Sequence, residues 1–171
     1  MMGNPATNGE VTHTLSVYVA NQPGVLVRVA QVFARRAFNI DSLVVSAGND
    51  GEFSRMTITA QGAADALTNI IKSVQRLVDV IHVSEHDPAT TIEKELALIK
   101  VKTDAKSRPE VLQVVEHFKG QTVDLTEGSL VIQVTGNSDK LDAMVEMLRR
   151  FGILEIVRTG KVLMARGEEE T

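Results

Sequence analysis

A chain of 171 residues accommodates one large domain or two small ones of about 80 residues each. Hydrophobic residues make up 43% of it but aromatic ones only 4%, with no Trp, so any core must be built from Val, Leu, Ile, Ala and Met. A net charge of −4 offers no footing for nucleic acid, the absence of cysteine excludes disulfides, thiolate zinc sites and cysteine nucleophiles, and no apolar run approaches the ~18 residues of a membrane-spanning helix. Residues 1–10 lack the basic start and apolar centre of a signal peptide, and are expected to form a disordered arm on a cytoplasmic protein.

The first strong pattern runs from His13 to Val19. His13, Leu15, Val17 and Val19 alternate with Thr14, Ser16 and Tyr18, as in a strand with one buried face. The stretch Ala20-Asn21-Gln22-Pro23-Gly24-Val25-Leu26 then turns strand into helix, along which Val25, Leu26, Val29, Val32 and Phe33 recur at helical spacing while Arg28, Gln31, Arg35 and Arg36 face outward. Pro23 fixes φ and Gly24 tolerates positive φ, so the chain can reverse sharply there. The first amides of a helix have no intrahelical partner and carry the positive end of its dipole. The turn is therefore a candidate site for a small anion such as an amino-acid carboxylate, with Gly24 allowing close approach to the backbone. The same residues also make an ordinary turn and cap. Asn39, which ends the connection from this helix to the next strand, adds an amide able to donate and accept.

A strand is predicted from Ser42 to Ala47, then a turn at Gly48-Asn49-Asp50-Gly51 and a second strand from Phe53 to Gln61, together a hairpin. Leu67, Ile70, Ile71 and Val74 stripe a helix, and Val78 to Glu85 reads as a strand. Asp87-Pro88-Ala89 breaks the pattern, and Thr90, Thr91 and Glu93 continue a polar linker over residues 87–93. Ala97, Ile99 and Val101 mark the next strand. A helix with Val111, Val114, Val115 and Phe118 on one stripe opens at Ser107-Arg108-Pro109, with Ser107 as its expected cap. Val123 and Leu125, then Leu130, Ile132 and Val134, mark two strands about a turn at Glu127-Gly128. Leu141, Met144, Val145 and Leu148 stripe the last helix, and strands over Ile153 to Val157 and Val162 to Ala165 close the chain before the acidic tail, residues 168–171.

The order βαββαβ occurs twice. The predicted fold is α+β: two consecutive ferredoxin-like βαββαβ sandwiches, over residues 11–86 and 94–167, each with two helices on one face of an antiparallel sheet. Apolar edge strands of this kind invite side-by-side pairing, so a dimer is expected.

The residues carry little chemistry. His82 and His86 stand at i,i+4 on a predicted strand, with Glu85 and Asp87 nearby, but that spacing puts the imidazoles ~13 Å apart along the chain, so they read as solvated or satisfied polar groups rather than metal ligands. His13 and His117 are isolated, and no Ser has a neighbouring His and acid. No phosphate-binding glycine motif occurs, and Arg35-Arg36 and Arg149-Arg150 read as helix-end charges. No catalytic or metal-binding residue is assigned, and the chain reads as a non-enzyme.

The stretch Leu15 to Leu43, LSVYVANQPGVLVRVAQVFARRAFNIDSL, resembles the ACT domain of the acetohydroxyacid (acetolactate) synthase small regulatory subunits. The resemblance continues through Ser54-Arg55-Met56-Thr57-Ile58, Leu77-Val78-Asp79-Val80, Glu95 to Val101 and Lys140-Leu141-Asp142-Ala143, and covers residues 11–167. The PGVL turn is common to ACT domains; the RRxFNIxSL, SRMTI and ELALIKV segments are specific to this family. The resemblance implies a regulatory protein that binds and activates a catalytic subunit and delivers feedback inhibition by valine or a related branched-chain amino acid. Thiamine diphosphate, magnesium and FAD would reside on the catalytic subunit, and no cofactor on this chain. It implies an effector held where two ACT domains pair side by side, by residues matching Asn21, Gly24 and Asn39, with Val25 and Leu26 as apolar lining. Family members usually carry Gly at the position of Ala37; if that position needs positive φ, Ala costs ~1 kcal/mol and tilts the Asn39 connection. Ala20, where an acidic residue is common, matters less. A free-standing amino-acid sensor or transcriptional regulator is the alternative reading, and it lacks a basic helix-turn-helix segment.

Overall fold

Alternation and helical stripes fold here into a repeated pattern. The structure, a computed structural model, describes residues 11–168 and Thr171. The arm expected over residues 1–10 and Glu169 and Glu170 of the acidic tail lie outside the described residues. The chain divides into two units, one running through Ile92 and including Leu163–Thr171, the other Glu93–Val162. No helix among the described residues is long and apolar enough to cross a membrane.

The first unit contains β1 (Val11–Ala20), α1 (Val25–Arg35), β2 (Ile40–Ala47), β3 (Phe53–Gly62), α2 (Ala64–Val74) and β4 (Val80–Glu85). Its antiparallel sheet has the order β2-β3-β1-β4, the ferredoxin-like arrangement. Val17 of central β1 stands opposite Met56 of β3 and Val83 of β4. Leu15, Val17 and Val19 project onto Val25, Val29 and Phe33 of α1 and Leu67, Ile70 and Val74 of α2, all but closed to solvent. Burying such side chains contributes ~1.5–3 kcal/mol each, which is what holds the two helices to the sheet. His13, isolated in the sequence, is buried with Nδ1 at 2.7 Å from Glu85 Oε1 and Nε2 at 3.2 Å from the Gly62 carbonyl. It joins β1 to both neighbours.

The starts of β2 and β4 differ from expectation. β2 starts at Ile40 rather than Ser42. β4 starts at Val80 rather than Val78, and Val78 is 97% exposed. The Val78–Val80 alternation imitates a strand, but the Val80 amide donates to Leu77 and the Asp79 carbonyl receives the Ala20 amide, forming a turn that leaves Val78 outside.

The second unit repeats the plan with β5 (Thr91–Lys102), α3 (Arg108–His117), β6 (Gln121–Leu125), β7 (Ser129–Gly136), α4 (Ser138–Leu148), a 3₁₀ turn (Arg149–Phe151) and β8 (Ile153–Arg158); β9 (Val162–Ala165), which apart from Val162 belongs to the first unit, pairs with β5. The sheet order is β6-β7-β5-β8, the first unit's order with each strand replaced by its counterpart. Ala97, Ile99, Val101, Leu130 and Ile132 pack beneath Val111, Val115, Leu141, Met144 and Leu148.

The expected linker over residues 87–93 is shorter than its polarity implies. Asp87 Oδ1 accepts the Ala89 amide at 2.8 Å and its carbonyl accepts the Thr91 hydroxyl at 2.9 Å, closing a tight turn. Strand β5 already begins at Thr91, which is 3% exposed, and Glu93 pairs with Lys161 at 2.8 Å. Polar residues with such partners belong to a strand, and the partners are invisible in the local sequence.

Ser107 does not cap α3 as expected: its own backbone is already right-handed helical, and its side chain makes no cap bond. Asp104, one turn earlier, organises the entry. Its Oδ1 accepts the Ser107 amide at 2.8 Å, the Ser107 hydroxyl at 2.8 Å and the Lys106 amide at 3.0 Å. The bonds from the Ser107 amide, the Ser107 hydroxyl and the Lys106 amide hold the Asp104 carboxyl below its ordinary value of 3.8. A carboxyl with a lowered folded-state pKa stabilises the fold fully above its unfolded value, and the contribution disappears as pH falls through the folded one. Asp104→Ala should therefore unfold at lower denaturant than the parent at pH 7. At pH 3 and below the gap between the two midpoints should shrink progressively; a gap constant across this range would contradict the assigned role.

Candidate functional site

The turn between β1 and α1 is fastened on two sides. The Asn21 amide donates to the Glu52 carbonyl at 2.8 Å, and Asn21 Nδ2 donates to the Gly51 carbonyl at 2.9 Å, so the turn is tied to the β2–β3 hairpin. The Ala20 amide donates to the Asp79 carbonyl at 2.8 Å, which ties it to the start of β4. Gly24 is the residue before the helix, with φ 85° and ψ −9°, and no side chain caps the helix start. In this left-handed conformation a side chain is strained. The Val25 amide donates to the Gln22 carbonyl at 3.4 Å, and no side chain caps the remaining opening amides of α1 at this positive helix end.

Arg28, one turn into α1, leans back over this start. Its Nη1 is 3.2 Å from where a Cβ on Gly24 would lie. Its Nε and Nη2 meet Asp79 Oδ2 at 2.8 and 2.7 Å. The result is an exposed helix start beside a guanidinium whose Nε and Nη2 are held by Asp79 and whose Nη1 faces Gly24.

The far end of α1 closes by a Schellman arrangement: the Phe38 amide donates to Phe33 and the Ala37 amide to Ala34. This places Ala37 at φ 56°, the positive value suspected from its sequence position. Asn39 follows and donates Nδ2 to Asp41 Oδ1 at 3.1 Å. Asp41 is the extra residue of a bulge, since Ile40 pairs with Ala60 and Ser42 with Thr59.

The expected site residues separate into two groups. Asn21, Gly24 and the 40%-exposed Leu26 lie together at the start of α1, open to solvent. Val25 does not line this surface: it is 2% exposed and packs into the core, because its position in the helical stripe points it at β1. Asn39 is exposed but remote. Ile40 aligns through Ala60 with His13, seven positions along β1 from Ala20, a separation of about 23 Å. One chain therefore cannot bring Asn39 and Gly24 onto the same small molecule.

Arg28 and Asp79 escaped the sequence reading, which turned Arg28 outward. The i,i+4 spacing from Gly24 to Arg28 was an available signal; the pairing with Asp79, 51 residues away, had none. Among the described residues, no three His, Asp or Glu side chains converge as metal ligands.

Two ferredoxin-like units, the first opening on this glycine turn, define a protein with an ACT-type domain followed by a second domain of like topology. Residues 15–82 match the model of the "AHAS small subunit-like ACT domain", and residues 94–167 that of the "Small subunit of acetolactate synthase". The chain belongs to the acetolactate synthase small-subunit family. It is 43% identical over 157 residues to a probable acetolactate synthase small subunit of Methanothermobacter thermautotrophicus, covering 91% of this chain and 94% of that one. Identity is 45% over 156 residues with the small subunit of Mycobacterium bovis, covering 91% and 93%. The crystal structure of the acetolactate synthase small subunit from Thermotoga maritima superposes with a TM-score of 0.84 at 37% identity, covering 93% of this chain and 99% of that one.

The left-handed Ala37 gives a stability test. Ala37→Gly removes the steric cost of that conformation, ~1–2 kcal/mol, against the greater freedom of an unfolded glycine, ~0.4–1 kcal/mol. The variant should be more stable by about 0.5–1 kcal/mol, read as a higher denaturant midpoint at unchanged slope. An unchanged or lower midpoint would show that residue 37 is unstrained.

Proposed function

We propose that this chain is the non-catalytic regulatory subunit of an acetolactate synthase in the cytoplasm, raising the activity of the catalytic subunit and conferring feedback inhibition by valine or a related branched-chain amino acid. Thiamine diphosphate, magnesium and FAD belong to the catalytic subunit in this reading. The observation that carries it is the left-handed helix start at Gly24, which no side chain caps. It offers an amino-acid carboxylate backbone amides and the Arg28 guanidinium, while exposed Leu26 offers an aliphatic side chain a surface.

The effector site is completed by a second copy. Among the described residues, strand β2 pairs with β3 alone, and its outer edge carries the 44%-exposed Val45. Its Ile40 end carries Asn39, and its Ala47 end leads to the hairpin turn that fastens Asn21. Antiparallel pairing of two β2 edges about a two-fold axis brings Asn39 of each copy toward the Gly24 turn of the other. Asn39, its Nδ2 engaged by Asp41, presents its oxygen to the effector ammonium.

Two experiments test this. The rigorously purified chain should not condense pyruvate and should bind neither thiamine diphosphate nor flavin, yet should raise the rate of a catalytic subunit and make it valine-sensitive. Measurable turnover by the chain alone sinks the reading. Second, Gly24→Asp should abolish the valine response and spare activation. The new carboxylate occupies the helix start, within reach of Arg28, and repels the effector's own carboxylate by ~1 kcal/mol in water and ~4 kcal/mol at an effective dielectric of 20. The upper end of that range exceeds the ~1–3 kcal/mol typical of allosteric coupling. Near-parental calorimetric affinity of the folded variant for valine would place the site elsewhere.

A further inference from the structure

Gly62 ends β3 and is buried, yet its φ lies outside the left-handed region that favours glycine, so backbone conformation does not explain the residue. The space beside it does. A Cβ on Gly62 would overlap Cζ and Cε1 of Phe38 and lie 3.1 Å from Cε2. The ring of Phe38 therefore rests against a bare Cα, an aromatic side chain covering a strand glycine. Gly62 is fixed from its other side: it pairs with Val11 of β1, and its carbonyl lies 3.2 Å from His13 Nε2.

Phe38 immediately precedes Asn39. Its amide donates to the Phe33 carbonyl at 3.0 Å, and its ring packs against the core of the first unit. Immediately after Asn39, Ile40 pairs with Ala60. Asn39 is thus suspended between two anchors on the same strand, Gly62 and Ala60. Among the described residues its side chain makes one hydrogen bond, to Asp41 two positions along, so no tertiary bond of its own fixes it. Its place is set through its neighbours.

We propose that Gly62 is a positioning residue for effector sensing, acting through Phe38 on Asn39. This rests on the reading of Asn39 as the residue that one copy contributes to the effector held at the other's Gly24 turn. Non-bonded carbons need ~3.5–4 Å, so a side chain at position 62 forces the ring to move by about 1 Å or more. β3 is an inner strand paired with β1 and β2, whereas Phe38 sits in a connection, so Phe38 is the partner that yields. With the core on its other side, the ring takes the Asn39 backbone with it. That displacement exceeds the ~0.5 Å within which a binding constellation must be held. The Gly24 turn, fastened through Asn21 to Glu52 and through Ala20 to Asp79, keeps its geometry.

The test compares the parent with Gly62→Ala, as the full chain and in complex with a catalytic subunit. In the parent, L-valine should shift the amide resonances of Gly24 and Asn39. Without valine, Gly62→Ala should shift those of Asn39 and Asp41 and leave Asn21 and Gly24 unchanged. Its calorimetric affinity for L-valine should fall at least tenfold, while its stimulation of the catalytic subunit without valine stays within twofold of parental. A role in packing alone would lower affinity and stimulation together. If Gly62→Ala does not fold, Phe38→Ala, which removes the ring and leaves Gly62 in place, should show the same separation. Parental affinity in the folded variant, or loss of affinity in step with stimulation, overturns the role of Gly62 while the effector reading stands. A parent whose Asn39 resonance ignores saturating L-valine overturns the effector reading and this role with it.

Discussion

The left-handed backbone at Gly24 is the constraint on which the first unit depends. At φ 85° the chain leaves β1 and enters α1 within four residues, and only that reversal lays Val25, Val29 and Phe33 over Leu15, Val17 and Val19. The fastening of Asn21 to Gly51 and Glu52, and of Ala20 to Asp79, fixes where the reversal occurs. A longer loop could join the same elements, but it would not hold the helix start at a defined place. A side chain at position 24 would meet both the strain of the left-handed region and the Arg28 guanidinium. The demand of the fold for a bare backbone and the availability of the helix amides are thus one property of one residue.

The second unit reaches the same sheet order by different local chemistry. Its corresponding entry uses the Asp104 carboxylate, bonded to Ser107 and Lys106, rather than a left-handed glycine. An acidic side chain at a helix entry satisfies the dipole from within. The helix start that lacks a side-chain partner in the first unit is thus preceded in the second by a turn closed on a carboxylate. Topology is shared by the two units; the means of charge satisfaction at the strand-to-helix turn is not.

Period-2 and period-3.6 patterns made both sheets and all four helices legible, because the core residues that carry them, from Leu15 to Leu148, are the ones that must face inward. Boundaries were less legible wherever a distant partner decides. Val78 continues an alternation, yet its neighbour Asp79 is held by Ala20 and Arg28, and the strand starts later. Thr91 and Glu93 look like linker until Asp87 and Lys161 are placed beside them. Ser107 has the composition of a cap, but Asp104 had already closed the turn. At the candidate site, the turn at Gly24 stood out from residue type, and the roles of Asn21 and Asn39 were what the family resemblance implied. Val25 was assigned to the surface because a helical stripe does not say which of two adjacent apolar residues meets the sheet. Arg28 was missed because its role depends on Asp79.

The distance between Asn39 and Gly24 has a thermodynamic consequence. In the proposed arrangement each effector touches two chains, so it acts as a cross-link as well as a ligand. Linkage then requires that effector binding strengthen the association of the β2 edges by the factor by which association strengthens effector binding. A site assembled wholly within one unit would carry no such coupling. The β2 bulge at Asp41 matters for the same reason. It sets the orientation of Asn39 at the end of the strand that pairs, so a shift in β2 pairing would displace half of the effector's contacts while leaving the Gly24 turn intact. The regulatory signal in this reading is a change in how two sheets meet, and the amino acid is sensed through the geometry of that junction rather than through closure of a pocket within one chain.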